Sequence, residues 1–484
     1  MISRIKRHLW PVLGEPIPIR PQVRGGPPPS TIEPETPPLE LSGRDYAIFL
    51  LRLAAEIEHG LMVQYLFAAY SLGGPQVPAA QQAQVQRWQE ALLGVAKEEM
   101  GHLVTVQNVL TALGGPLQFN REDYPHDNVL YESGFRLQPL TLSSLATYIC
   151  AESPKNWDTP EAREIKRQAK VETGADVNRV GRLYEELITV ISDPALVADS
   201  TFNAGSEVFQ ASWDAWGRGF RQGLPGTQSG EDRDPRDEHE LVIVAVRDRA
   251  SAIDALEQVG EQGEGFDSPE EDASHFERFL EIYRALAALS DDERAALVRR
   301  LAPNPTTHLD GSDVAPPGER TPTSTTAISN PQARLWAHLF NVRYRKLLVS
   351  LSHTFELAAE RAAAGTGGPR GALINRAFAE MYNMRSIAGV LAGLPIDDAA
   401  PGGERAGPPF QMPYTLMLPH DEPDRWRLHR DMLDASAVLI ERIAATGGAP
   451  RAYLAALAQA DEIERGQLDV LSAATTPPPE PPPP

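Results

Sequence analysis

A carboxylate and an imidazole stand three residues apart at Glu99 and His102, and the spacing recurs at Asp272 and His275. Residues three apart on a helix share a face, so each pair can aim two ligand groups at one point. Helical bundles that cage two metal ions in carboxylates use two such pairs, plus one Glu from each of two other helices. Single acid-x-x-His matches are common, and this chain also has Glu56/His59 and Asp123/His126. Helical faces must decide between the four.

On the first long helix, expected over about 43–72, the stripe Ala54, Glu58, Leu61, Tyr65, Ala68 and Leu72 is apolar except for Glu58 and the Tyr65 hydroxyl. A lone carboxylate in such a stripe is costly unless paired or bound to metal. Glu56 and His59 fall with Arg52 on a polar face and read as solvated. The second helix, about 78–113, carries the stripe Val85, Trp88, Leu92, Val95, Glu99, His102, Val106, Val109 and Leu113. Glu99 and His102 are its charged or titratable members. The alternative for this pair is a satisfied buried Glu–His hydrogen bond. Glu98 falls beside Gly94, Gly101 and Thr105 on a more exposed or tightly packed face.

Asp123/His126 encloses Pro125 and reads as a turn. Ser268-Pro269-Glu270-Glu271 has the form of a capping box. It is expected to open a helix to about 302, with Asp272 and His275 on its first turns and Glu271 serving the cap. The sixth ligand must come from the short helix ending Glu261-Gln262-Gly263-Glu264-Gly265. Spacing does not separate Glu261 from Glu257 or Glu264 there. Tyr65, two turns from Glu58, is a candidate catalytic or redox partner, although a core tyrosine needs no such role. Trp88 reads as packing, His353 (with Glu356) as surface or satisfied core, and His429 as a non-ligand.

These residues need a helical frame, and the rest of the chain supplies one. Nearly every periodic segment has helical period and strand alternation is absent, so the fold class is all-α. Further helices are expected at about 159–191, 245–262, 331–364, 370–394, 423–446 and 449–472, with a mobile loop at 223–240. The organisation is a Pro-rich arm (1–42), a four-helix bundle with a long crossover (43–302), a linker or loop (303–330), a helical C-terminal region (331–473) and a Pro-rich tail (474–484). The net charge of -21 argues against nucleic acid or an anionic membrane surface as the main partner. No run of eighteen apolar residues predicts a membrane span. The single cysteine, Cys150, rules out an intrachain disulfide and reads as a buried hydrophobe. With no secretory apolar segment at the start, cytoplasmic residence is the default.

Several words of the chain resemble the ferritin-like family related to iminophenyl-pyruvate dimer synthase, whose members act in bisindole pathways. They are Glu56-Ile57-Glu58-His59 through Tyr65-Leu66 to Ala69-Tyr70-Ser71-Leu72, then Glu98-Glu99-Met100-Gly101-His102-Leu103 and Leu113-Gly114-Gly115-Pro116. Next come Tyr124-Pro125-His126, Leu137-Gln138-Pro139-Leu140, Glu261-Gln262-Gly263-Glu264-Gly265, and Ser274-His275-Phe276 with Arg278-Phe279. The likeness covers roughly 43–300 well and the C-terminal helices more loosely.

The resemblance implies a metal set of Glu58, Glu99, His102, Glu261, Asp272 and His275, with Glu261 taken over Glu257. Two departures stand out. Val63-Gln64 replaces a Pro-Pro pair, and Asp272 often corresponds to Glu. Two His and four carboxylates suit two divalent ions, iron foremost, with manganese or zinc compatible. The expected function is a dioxygen-dependent di-metal oxidase or oxygenase acting on a small amino-acid-derived or natural-product intermediate. The family also suggests a flavin amino-acid oxidase as substrate-supplying partner. The competing reading is a non-catalytic metal protein for storage, sensing or structure. A metal-free helical scaffold, in which the six side chains do not converge, is a third. Oligomeric state is not legible.

Overall fold

The computed structural model describes residues 41–128, 131–173, 177, 179–211, 242–264, 273–311, 313–316, 318–321, 323–358, 368–399, 402–413 and 416–475. The expected arm, the 223–240 loop and most of the tail lie outside these residues.

Helices α1 (Gly43–Ser71) and α2 (Gln82–Ala112) form an antiparallel hairpin and pack on each other along most of their length. Ser42 caps α1 by accepting from the Asp45 amide, and α1 stops just before Gly73 and Gly74, both at positive φ. A short antiparallel pair, β1 (His126–Asn128) and β2 (Tyr131–Phe135), follows α2. Then comes α3 (Leu142–Ala151), opened by a capping box from Thr141 to Ser144 and buried from Ser144 onward. This helix falls in what reads from sequence as connection.

The helix expected over 159–191 is two: α4 (Pro160–Thr173) and α5 (Val180–Ser192). The first ends at Thr173 and the second begins at Val180. Helix α6 spans Arg249–Glu264 and α7 spans His275–Ala287. The capping box that opens α7 is Ser274 with Glu277, not the expected Ser268 word, which lies outside the described residues. A short α8 (Asp291–Leu297), with its own Ser290–Glu293 box, ends the region expected as one helix to 302.

Residues 303–330 are a long loop stitched to the bundle. Asn304 exchanges hydrogen bonds with Leu137, and a two-residue parallel pair joins β3 (Pro305–Thr306) to β4 (Thr326–Ala327). Helices α9 (Pro331–Thr354), α10 (Pro369–Leu391), α11 (Glu422–Ala444) and α12 (Arg451–Thr475) form a second helical layer. This layer covers the outer face of α1. His59, expected in solvent, is fully buried and meets the Tyr344 hydroxyl of α9. Glu56 accepts from the Glu122 amide. Asp123/His126 is a turn, as its proline dictates, and Asp123 accepts from the Met412 amide. His353 is a satisfied core histidine, held between Glu422 and His429. Cys150 is buried. No helix among the described residues is long and apolar enough to cross a membrane.

Candidate metal centre

Four helices of the first layer bring five ligand side chains to one interior point. Glu58 comes from the middle of α1, Glu99 and His102 from the middle of α2, Glu152 from the C-cap of α3, and His275 from the first turn of α7. Each is at most 3% exposed. The atoms form two groups that share Glu99: Glu58–Glu99–His102 and Glu99–Glu152–His275. Glu99 Oε2 lies 3.1 Å from His102 Nδ1, and Glu99 Oε1 lies 3.0 Å from His275 Nδ1. One carboxylate thus spans the two imidazoles, which stand face to face with centroids 5.4 Å apart.

Four of the five side chains are aimed by a partner on the far side. Tyr184 of α5 donates to Glu58 Oε1 at 2.5 Å, leaving Oε2 3.3 Å from His102 Nδ1. Tyr65 of α1 donates to Glu152 Oε1 at 2.6 Å, leaving Oε2 facing inward. His102 Nε2 meets the side-chain oxygen of Gln262 at 2.8 Å. His275 Nε2 meets Glu98 at 2.8 Å, and Glu98 is held in turn by Arg278. Partners of this kind fix the imidazole tautomer so that the other nitrogen offers its lone pair to a metal.

Glu58 Oε2, Glu99 Oε1 and His275 Nδ1 are buried and complete no hydrogen bond, despite the short separations. With Nε2–H given to Glu98, His275 Nδ1 is a lone pair facing a carboxylate oxygen. Two acceptors so placed repel unless a proton or a cation lies between them. Burial holds the His275 pKa down to about 4, so the ring stays neutral at physiological pH and is ready to ligate. Glu99 is pushed well up, by burial first and then by the Glu152 and Glu58 charges. Burial opposes charge on His102, but hydrogen bonds and charge from Glu58 and Glu99 outweigh it and raise its pKa well above the usual value. Those interactions with His102 likewise hold Glu58 low against burial. Both shifts favour the protonated forms of Glu99 and His102, which lie in groups that could hold a metal ion. Three carboxylates and two imidazoles make an oxygen-and-nitrogen donor set suited to two divalent ions.

The structure brings Glu58, Glu99, His102 and His275 together. It does not bring Glu261, which is exposed; its neighbour Gln262 turns inward instead. The helical phase that points Gln262 at His102 points Glu261 at solvent. Glu152 holds the place expected of Glu261. Asp272, the Glu271 cap and the Glu264 side chain lie outside the described residues. Glu98 is fully buried, on the tightly packed alternative of its two expected faces. Sequence reasoning missed Glu152 because it ends a helix that was not drawn. The available signal was a single carboxylate directly after the apolar run Leu145–Ala151.

Known proteins similar to this chain are as follows. Residues 51–284 match the family model described as Ferritin-like. The chain is 27% identical over 423 residues to dichlorochromopyrrolate synthase of Lentzea aerocolonigenes, covering 77% of this chain and 36% of that protein. It is 25% identical over 406 residues to 2-imino-3-(indol-3-yl)propanoate dimerase of Chromobacterium violaceum, covering 78% and 35%. The chain thus spans about a third of the length of these curated relatives. A ferritin-like protein from Caulobacter vibrioides aligns with a TM-score of 0.40 at 16% identity, over 70% of this chain and 95% of that one.

Proposed function

This chain carries a ferritin-like domain over residues 51–284, and from that premise we propose that it is a di-metal oxidative enzyme acting on a small amino-acid-derived intermediate. Glu58 and His102 would hold one divalent ion, Glu152 and His275 the other, and Glu99 would bridge them. The observation that carries this reading is the set of buried, unbonded ligand atoms facing one another across Glu99. Bound there, a pair of reduced iron ions would supply two electrons to dioxygen; manganese fits the same donors, and zinc fits them without redox chemistry.

The protein's own part is positioning and proton control. Tyr184 and Tyr65 each pin one carboxylate oxygen, which leaves the other for a metal. Glu99 and His102 give up protons as metal enters, so uptake is coupled to proton release. Packing by Leu61, Val180 and Val259 limits water beside the site. The substrate class rests on likeness: one relative's name describes a dimerase of 2-imino-3-(indol-3-yl)propanoate, an imine of an amino acid. A flavin amino-acid oxidase that supplies such an imine is the partner this reading calls for.

The test is anaerobic loading of the purified chain with Fe(II), then a dioxygen pulse with and without an amino-acid-derived imine. Dioxygen consumption accelerated by the imine supports the enzyme. Stable metal without dioxygen consumption assigns the site to storage or structure instead.

A further inference from the structure

A small pocket touches the ligand cluster. Glu58, Glu99, His102 and Glu152 form the floor of a pocket whose walls are Leu61, Val180, Val259 and Tyr184, with Gly181, Gly260 and Gly263. The walls come from α1, α5 and α6, and α5 packs against α6. His275 is not part of this surface. The pocket thus reaches the Glu58–His102 position more directly than the His275 side.

The two α6 glycines do different things. A Cβ on Gly263 would stand 2.8 Å from Glu152 Oε2, too close for that carboxylate to keep its place. A Cβ on Gly260 would meet nothing within 4 Å. Gly260 and Gly263 are three apart and share a helical face. Glycine is also the less stable choice inside a helix, so sterics at Gly260 do not explain its presence there. Glu58 Oε2 and Glu99 Oε1, each in a carboxylate only 1% exposed, lack hydrogen-bond partners at the bottom of this space. Among the described wall residues there is no Lys or Arg to neutralise an anion.

Resting on the di-metal reading, we propose that the seam between α5 and α6 is the entry to the metal centre and that Gly260 sets what passes. The missing side chain at Gly260 keeps the passage open for a small uncharged molecule such as dioxygen, or for the uncharged edge of a larger substrate. The carboxylate of an imino-acid substrate then stays outside the rim.

The test compares Gly260→Ala, Gly260→Leu and Gly260→Phe in the full chain loaded anaerobically with Fe(II). Nitric oxide serves as a neutral, dioxygen-sized probe, and its binding is followed by stopped-flow absorption alongside metal content. All three variants should keep the wild-type metal content. Binding should slow in the order Ala, Leu, Phe, with Phe about tenfold slower than wild type. A Phe or Leu variant with full metal and wild-type binding kinetics would overturn the entry. So would loss of metal in the Leu variant, because Gly260 would then belong to the ligand packing. A wild-type chain that takes up no metal would instead overturn the di-metal reading itself. Gly263→Ala is the contrast, expected to lose metal through displacement of Glu152.

Discussion

Buried carboxylates occur in both helical layers, and their surroundings are opposite. In the second layer Glu380, Asp461 and Glu464 face Arg343 and Lys346. Arg343 takes Asp461 through both terminal nitrogens at 2.6 and 2.5 Å, and Lys346 bridges Glu380 at 2.7 Å and Glu464 at 2.9 Å. Cations hold Glu380 and Asp461 below the usual carboxylate range even though burial works against them. In the first layer Glu58, Glu99 and Glu152 gather around two imidazoles, with the Tyr184 and Tyr65 hydroxyls on Glu58 and Glu152. Arg278 pairs with Glu98, the residue before Glu99. A buried acid with its cation built in is a structural part. Buried acids gathered on imidazoles instead form groups that could hold a cation from solution.

Four results would break or sharpen this contrast, beginning with the largest effect. Glu99→Ala should abolish metal binding, since both halves of the site lose their shared ligand, whereas Arg343→Ala should leave metal content intact. Arg343→Ala should instead destabilise the fold by about 3–5 kcal/mol, because it strands Asp461 and Glu380. Metal analysis paired with denaturant unfolding reads both.

The layers should also answer pH with opposite sign. Glu99 is raised above the ordinary 4.5 of a glutamate, so in metal-free protein its contribution is fully present at pH below that value and is lost as pH rises through the raised pKa. Metal-free Glu99→Gln should therefore gain on wild type as pH climbs above 4.5. Glu380 is lowered, so its contribution is present above 4.5 and lost as pH falls through the lowered value. The deficit of Glu380→Gln should narrow in acid. His429, driven well below 6.5 by burial and then by neighbouring positive charge, adds to this: neutral burial stabilises above 6.5 and is lost as pH falls below it. Unfolding curves taken in chelator from about pH 3 to about pH 8 check the crossing, because the Glu380 contribution is lost only below 4.5.

Smaller effects are expected behind the ligands. Gln262→Ala and Tyr65→Phe should each weaken metal binding by about tenfold without abolishing it, read by competition with a chelator. The smallest is Glu261→Ala, which should change neither metal content nor stability measurably, whereas Glu152→Ala should lose the ion at the His275 position.

That last pair marks where sequence reasoning stops. Glu58, Glu99 and His102 are legible because each interrupts a long apolar stripe, and a stripe fixes a face. The amphipathic run Phe276, Phe279, Ile282, Leu286 likewise places His275 at the head of an inward seam. Glu152 sits at a helix end, where periodicity has run out, on a helix too short and too uniformly buried to show a stripe. Glu261 and Gln262 are adjacent, so one residue of phase decides which turns inward, and α6 has too weak a pattern to set it. His59 reads as solvated because the layer that covers it lies almost three hundred residues away, at Tyr344. The helical class and the long first hairpin follow from period and glycine stops; the docking of the second layer rests on side-chain contacts that no single helix displays.

The most direct test is an anomalous diffraction map from crystals grown with Fe(II) or Mn(II) under anaerobic conditions. The account predicts two peaks flanking Glu99, one among Glu58, Glu99 and His102 and one among Glu99, Glu152 and His275. A map with no peak there, or with Glu99 bonded to neither ion, would contradict it.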